Sequence, residues 1–272
     1  MAPHEQPEID FFAHYADVLQ ALNRHHLEYL VGGGFGLCCY VSHWRPTKDL
    51  DLFMRPTTVE TALDVLGKAG FDVELTDARW LAKARRGGSL TDIIFRSYNG
   101  LFPVDDRWFA NARAARICGV PVKIVGPEEM LVSKSFVAAR DRFDGSDISW
   151  LMRSYGRDLD WPRIEEMFGE EHWPVLLWQL VHFLYVFPDK RDQVPRELVQ
   201  RLMRRFETEI LHGRAGDDPW FGPMLDPVNY QRDVARRSCS CEQPIPRERA
   251  EHKWAAQTYC ARCGLDMPLR WR

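Results

Sequence analysis

The run Asp49-Leu50-Asp51-Leu52-Phe53-Met54 opens on an alternation of polar and apolar residues, the period of a half-buried strand. On such a strand, side chains two positions apart share a face, so Asp49 and Asp51 point the same way while Leu50 and Leu52 enter the core. Two carboxylates held that close repel each other, and a divalent cation between or beside them is the natural way to keep both ionised. Oxygen ligands favour Mg²⁺, or Mn²⁺ in its place. Because Mg²⁺ usually binds through one or two carboxylates plus substrate phosphates, so sparse a protein ligand set points to a nucleotide.

A glycine triplet, Gly32-Gly33-Gly34, lies between the short strand Tyr29-Leu30-Val31 and a helix expected over Phe35 to Tyr40. Glycines there let the backbone approach a phosphate, and the helix start supplies free N–H groups and positive dipole. The spacing excludes two familiar nucleotide motifs. A dinucleotide fingerprint counted from Gly32 or Gly34 meets Leu37 or Cys39 where its last glycine belongs, and no GxxxxGK[ST] is present. Lys48, beside Asp49, faces the opposite side of the strand and is expected at the surface. A third carboxylate, Asp92, sits in the apolar strand Ser89 to Phe95, where an unpaired acid would be costly to bury. Its structural alternative is an ion pair with Arg85 or Arg86. Asp105 and Asp106, in a loop-like context after Pro103, are the runner-up third ligands.

Elsewhere the sequence predicts helices over Ile9 to about His25, and from Thr57 or Thr58 as cap to Lys68, with Gly70 as terminator. Phe71 to Leu75 reads as a strand, and Arg116 to Val125 as two short strands turned at Gly119 and Val120. Pro127-Glu128-Glu129 opens a helix expected to reach about Arg142. Further helices are expected at about 146–155, 161–168, 173–187 and 195–212. The pattern is a small α/β domain over 1–126, a helical domain over 127–215, and an irregular tail over 216–272 rich in Pro, Gly and Arg.

With 272 residues, 45% of them hydrophobic, the chain can bury a substantial core. Its net charge of −3 divides into −6 over residues 1–190 and +3 over 191–272, which makes no polyanion-binding surface and leaves a local nucleic-acid patch open. The first ten residues lack the basic start and apolar centre of an export signal. The most apolar stretch, Trp173 to Phe187, is too short to span a bilayer and reads as a buried helix whose aromatics Trp173, Trp178, Phe183, Tyr185 and Phe187 are core. Seven cysteines without even spacing argue against a secreted disulfide scaffold, so a cytoplasmic location is expected. Cys38, Cys39 and Cys118 fall in apolar runs and read as core residues.

The stretch LVGGGFGLCCYVSHWRPTKDLDLFM, with its Gly-Gly turn followed by an Asp-x-Asp strand, resembles the polymerase-beta-like nucleotidyltransferases, and is closest to bacterial proteins of the abortive-infection and toxin-associated kind. The resemblance implies an α+β fold with a small mixed-sheet catalytic domain followed by a helical one. It implies Asp49, Asp51 and, in LTDIIF, Asp92 as the catalytic carboxylates and metal ligands, with Gly33 and Gly34 at the phosphates of an NTP. PEEMLVSKSFVAARDRFDGSDISWL adds Lys134 and Asp147 as family positions. On a helix from 128 to 142, Lys134 can contact the triphosphate or base, or face the core edge and snorkel to water. The reaction implied is Mg²⁺-dependent transfer of a nucleoside monophosphate to a hydroxyl, with pyrophosphate leaving. The acceptor is left open among an RNA end, a protein hydroxyl and a small alcohol such as an antibiotic. A non-catalytic nucleotide-binding module of the same fold, and a phosphodiesterase or nuclease using the same metal pair, are the alternatives.

In the tail, Cys239 and Cys241 with Cys260 and Cys263 make two thiol pairs in a core-poor segment, the ligand set of a structural Zn²⁺, with His252 as a substitute ligand. The neighbouring Arg236, Arg237, Arg247, Arg249, Lys253 and Arg262 would then form a basic patch able to touch a phosphate backbone.

Overall fold

The computed structural model describes residues 11–41, 47–98, 102–138 and 142–211. The expected zinc ligands Cys239, Cys241, Cys260 and Cys263, His252 and the basic patch of the tail lie outside these residues. Helix α1 (Phe11–Arg24) leads to β1 (Leu30–Val31), α2 (Gly33–Leu37), β2 (Asp49–Phe53), α3 (Val59–Lys68), β3 (Asp72–Asp77), β4 (Leu81–Arg86) and β5 (Ser89–Ile94). Then come α4 (Asp106–Ala110), β6 (Arg113–Ile117), β7 (Val120–Ile124), α5 (Pro127–Ser135), α6 (Gly145–Tyr155), α7 (Trp161–Val186) and α8 (Arg196–Arg205).

The seven strands form one mixed sheet in the order β3-β4-β5-β2-β1-β7-β6. β2 runs parallel to β5 and β1 parallel to β7, and the remaining neighbours are antiparallel. Strand alternation gives each face its own role. Val31, Leu50, Leu52, Ala82, Ala84, Ile93 and Ile124 project to one side, where they share a core with Val18, Leu19 and Leu22 of α1 and Leu63 and Leu66 of α3. Leu30 and Phe53, on the opposite face, join a second core with Met130, Leu131, Ile148, Leu151, Ile164, Phe168, Leu176, Leu180 and Phe183 of the later helices. The sheet is thus covered on both sides, and the polar ends of β2 and β5 open at the second covering.

Several boundaries differ from the sequence reading, each for a local reason. β4 was not expected, because its Leu-Ala-Lys-Ala-Arg-Arg run lacks the β-branched and aromatic residues that mark strands. Thr58 does not cap α3 with its side chain; its hydroxyl instead donates to the Arg55 carbonyl at 2.9 Å. The β6–β7 turn falls on Cys118 and Gly119, at φ +48° and +75°, one residue earlier than expected. Helix α5 stops at Ser135 rather than near Arg142. Phe136 leaves the helical path to bury against Phe102, Phe168 and His172, and Ala138 pairs antiparallel with Phe143. The two helices expected over 161–168 and 173–187 are joined as α7, broken where Gly169 takes φ +64°. Tyr185 is 84% exposed and Cys39 is exposed, so neither is a core residue. Tyr185 lies in the last turn of α7, and Cys39 in the turn that follows α2. Among the described residues no helix is long and apolar enough to cross a membrane.

Candidate active site

The register between β2 and β5 sets the centre of the site. Asp51 lies directly opposite Asp92, and Asp49 opposite Leu90. Asp49, Asp51 and Asp92 therefore share a sheet face, and one oxygen from each lies within 4.8 Å of the others. Asp51 and Asp92 are buried, and Asp49 is partly exposed. Burial first, then the charges of Asp49 and Asp92, pushes Asp51 up to about 7. Burial also raises Asp92, against the opposing pull of Lys83. Three acids so close, one of them displaced to neutrality, are a hard-oxygen donor set that suits a divalent cation. Asp49 is oriented by Thr47, whose hydroxyl donates to Asp49 Oδ1 at 2.9 Å.

The glycine turn forms the next wall. β1 ends at Val31, and the Gly32 N–H donates to the Asp51 carbonyl at 2.9 Å, which fastens the turn to the acid strand. α2 starts at Gly33, two residues earlier than expected, because Gly36 N–H already donates to the Gly32 carbonyl at 2.7 Å. Gly33 has φ +53°, a conformation that favours glycine, and its missing side chain would overlap Asp51. Gly34 lies beside Thr47. The start of α2 therefore lies beside the acid strand, Gly33 against Asp51 and Gly34 against Thr47.

A cleft opens over Gly32, Gly33 and Asp51. Its lining includes the charged Lys134, Arg142 and Asp144, with Ser133. Trp80, Ile94, Arg96 and Tyr98 line it too, and the Trp80 and Tyr98 rings meet edge-on at 5.1 Å. Lys134 is 7% exposed and donates to Asp144 and Asp147, each at 2.8 Å. Burial would lower its pKa, but the two carboxylates outweigh this and raise it; Asp144 in turn is held low by Lys134 and Arg142 against its own burial. Of the two alternatives for Lys134, snorkelling to water does not occur, since Asp144 and Asp147 close over the buried ammonium.

The structure thus brings Asp49, Asp51, Asp92, Gly33 and Gly34 together; Lys134 shares a cleft with Gly33 and Asp51, and Asp147 is its partner. Asp105 and Asp106 are occupied elsewhere: Asp105 caps α4 by accepting from Arg107 N–H, and Asp106 pairs with Arg55 at 2.7 Å. Neither Arg85 nor Arg86 is the partner of Asp92. Arg85 pairs with Glu74 at 2.8 Å and Arg86 with Asp17. The partner is Lys83, in register opposite Asp92 on β4, at 2.7 Å. Lys48 is exposed, as expected. Sequence reasoning missed Lys83, Thr47, Trp80, Tyr98 and Arg142, which lines the cleft. One signal was present for Lys83. Gly87-Gly88, at φ +56° and +82°, is the two-residue turn of a hairpin, and it makes the residues before it a partner strand for Asp92.

Residues 10–186 match the model of a family described as uncharacterised nucleotidyltransferase, and the chain belongs to that family. This agrees with the polymerase-beta-like class that the motifs resemble; an abortive-infection or toxin-associated role is not part of the match. No curated protein matches the chain by sequence. Among solved structures, an antigenic nucleotidyltransferase-like protein from Paracoccidioides brasiliensis is 19% identical with a TM-score of 0.44, over 68% of this chain and 92% of that one. The antibiotic-resistance factor ANT(2'')-Ia is 14% identical, TM-score 0.38, over 74% and 93%. The lincosamide antibiotic adenylyltransferase LnuA, solved with lincomycin, is 14% identical, TM-score 0.38, over 52% and 95%. These likenesses are distant, and the class of the chain rests on the family match.

Proposed function

We propose that this nucleotidyltransferase moves a nucleoside monophosphate from an NTP to a hydroxyl acceptor. The observation that carries the reading is the convergence of Asp49, Asp51 and Asp92 beside the Gly33 turn, with Asp51 lining a cleft that Lys134 and Arg142 also line. The acceptor oxygen attacks the α-phosphorus, the bond from that phosphorus to the bridging oxygen breaks, and pyrophosphate leaves with the electron pair. Asp92 takes the acceptor proton and passes it to solvent. Asp49, Asp51 and Asp92 would hold Mg²⁺ or Mn²⁺, which when bound supplies charge neutralisation for the phosphates and acidifies the acceptor hydroxyl. The first-turn N–H groups at Gly33 and Gly34 bind β- and γ-phosphate oxygens. Lys134, with two of its three N–H bonds given to Asp144 and Asp147, keeps one for a phosphate, and Arg142 adds a second cation. Trp80 and Tyr98 offer ring surface to a base.

The test is a screen of the four labelled NTPs with Mg²⁺ against total RNA, total protein and small hydroxyl compounds. Pyrophosphate release that depends on an acceptor, and disappears in Asp51→Asn, supports the reading. Hydrolysis of an unprimed phosphodiester would favour a nuclease instead, and nucleotide binding without turnover on any acceptor would favour a binding module.

A further inference from the structure

Across the sheet, Lys83, Asp92 and Asp51 form one row on three adjacent strands, β4, β5 and β2, each residue directly opposite the next. Lys83 also lies in register with Glu74 on β3, but the Glu74 carboxylate is committed to Arg85. The Lys83 ammonium instead donates to Asp92 Oδ1 at 2.7 Å, with the two side chains 17% and 6% exposed. An ion pair this sheltered is screened little by solvent, so both its direction and its charge are felt at the neighbouring carboxylates. Its neighbours on the same face of β4 are Leu81, which is buried, and Arg85, which is paired with Glu74 and well exposed, so Lys83 is the cation on that face that reaches the acid cluster.

We infer that Lys83 is a positioning residue of the acid cluster: it holds Asp92 by one oxygen and offsets one of the three negative charges offered to a divalent cation. This rests on the metal-dependent reading of the site given above. Two consequences separate it from a purely structural ion pair. Asp92 has one lone pair of Oδ1 committed to Lys83, which fixes the carboxylate's orientation and leaves Oδ2 the less encumbered oxygen. The cluster also grips a cation less tightly than three uncompensated carboxylates would, which favours exchange of the metal with its nucleotide between turnovers. A lysine that only stabilised the sheet would have the opposite signature, since its loss would loosen the cluster and weaken cation binding.

Mn²⁺ binding measured by electron paramagnetic resonance on the full chain without nucleotide tests the inference. Lys83→Met, which keeps the stem and removes the charge, should bind Mn²⁺ about tenfold tighter, the effect of removing one nearby positive charge from a partly screened site. Lys83→Gln, a second variant that keeps a hydrogen-bond donor, should tighten binding in the same direction. Lys83→Arg, which restores the charge, should return it to the wild-type value. Unchanged or weaker Mn²⁺ binding in both folded neutral variants overturns the role of Lys83. Asp51→Asn separates this from failure of the underlying reading. If it leaves wild-type Mn²⁺ binding unaltered, the acid cluster is not the cation site, and both conclusions fall.

Discussion

The carboxylate of Asp51 fills the space that any side chain on Gly33 would need: a Cβ there would lie 1.6 Å from Asp51 Oδ2 and 2.4 Å from its Cγ. Gly33 also holds φ +53°, where a non-glycine residue is disfavoured by about 1–2 kcal/mol. The glycine and the acid therefore form one unit, and Gly33→Ala should damage the site more than the fold. The expected outcome is loss of nucleotidyl transfer by at least two orders of magnitude, with a melting temperature lowered by only several degrees. Pyrophosphate release and thermal melting on the same preparation check it. Full activity in the variant would show that Asp51 need not stay where it is.

Asp51 also makes stability depend on pH in a direction opposite to the common carboxylate case. Its pKa rises from an ordinary 3.8 to about 7 in the folded, metal-free chain. Between those values the native state binds more protons than the unfolded state, so this group stabilises fully below about pH 4 and loses its contribution as pH rises through about 7. Metal-free protein should therefore lose stability from pH 5 to pH 8 through this residue. Asp51→Asn should flatten that slope, and millimolar Mg²⁺ should restore stability at pH 8 more than at pH 5. Urea midpoints across that range, with and without EDTA, read the effect; a slope identical in Asp51→Asn would refute it.

Lys134 is the charge on which the cleft wall turns. Its ammonium, 7% exposed, links α5 to Asp144 before α6 and to Asp147 within it. Removing one partner from a buried ion cluster leaves uncompensated charge and typically costs about 3–5 kcal/mol. Lys134→Met should therefore lower the urea midpoint strongly, and adding Asp147→Asn to it should recover part of the loss. A Lys134→Met protein as stable as wild type would mean that the two acids find other cations.

What the sequence revealed follows from the range of the interactions involved. Asp49 and Asp51 were legible because strand alternation is local, and the Gly32-Gly33-Gly34 turn because glycines mark left-handed backbone and close approach. Asp92 was legible as an acid that an apolar strand must compensate. Its partner was not, because choosing Lys83 over Arg85 or Arg86 requires knowing which residue of β4 lies opposite it. Register is a tertiary property, and Lys83 and Arg85 share a face, two residues apart. The end of α5 was misread for a similar reason. Helical propensity continues through Val137, Ala138 and Ala139, but burial of Phe136 and the pull of Lys134 on Asp144 turn the chain back. Trp80 and Tyr98 gave no signal at all, since each lies outside the strands and they meet only across the cleft rim.

Those two rings carry the last prediction. Trp80 and Tyr98 are half-buried, pack edge-on, and line the cleft with Ile94 and Arg96. Because the rings are remote from the carboxylates in role, they should bind ground state and transition state alike, which moves KM and leaves kcat in place. Loss of a base-stacking aromatic typically costs about 1–3 kcal/mol, so Trp80→Ala should raise the KM for the preferred NTP roughly tenfold or more while kcat stays within about twofold. Tyr98→Phe, which keeps the ring and its edge contact, should leave both constants near wild type. Quenching of Trp80 fluorescence by NTP, read as the difference between wild type and Trp80→Ala, gives an independent binding signal. A fall in kcat with KM unchanged would instead place Trp80 in the chemistry or in the alignment of the acceptor, and the ring wall would no longer be a base platform.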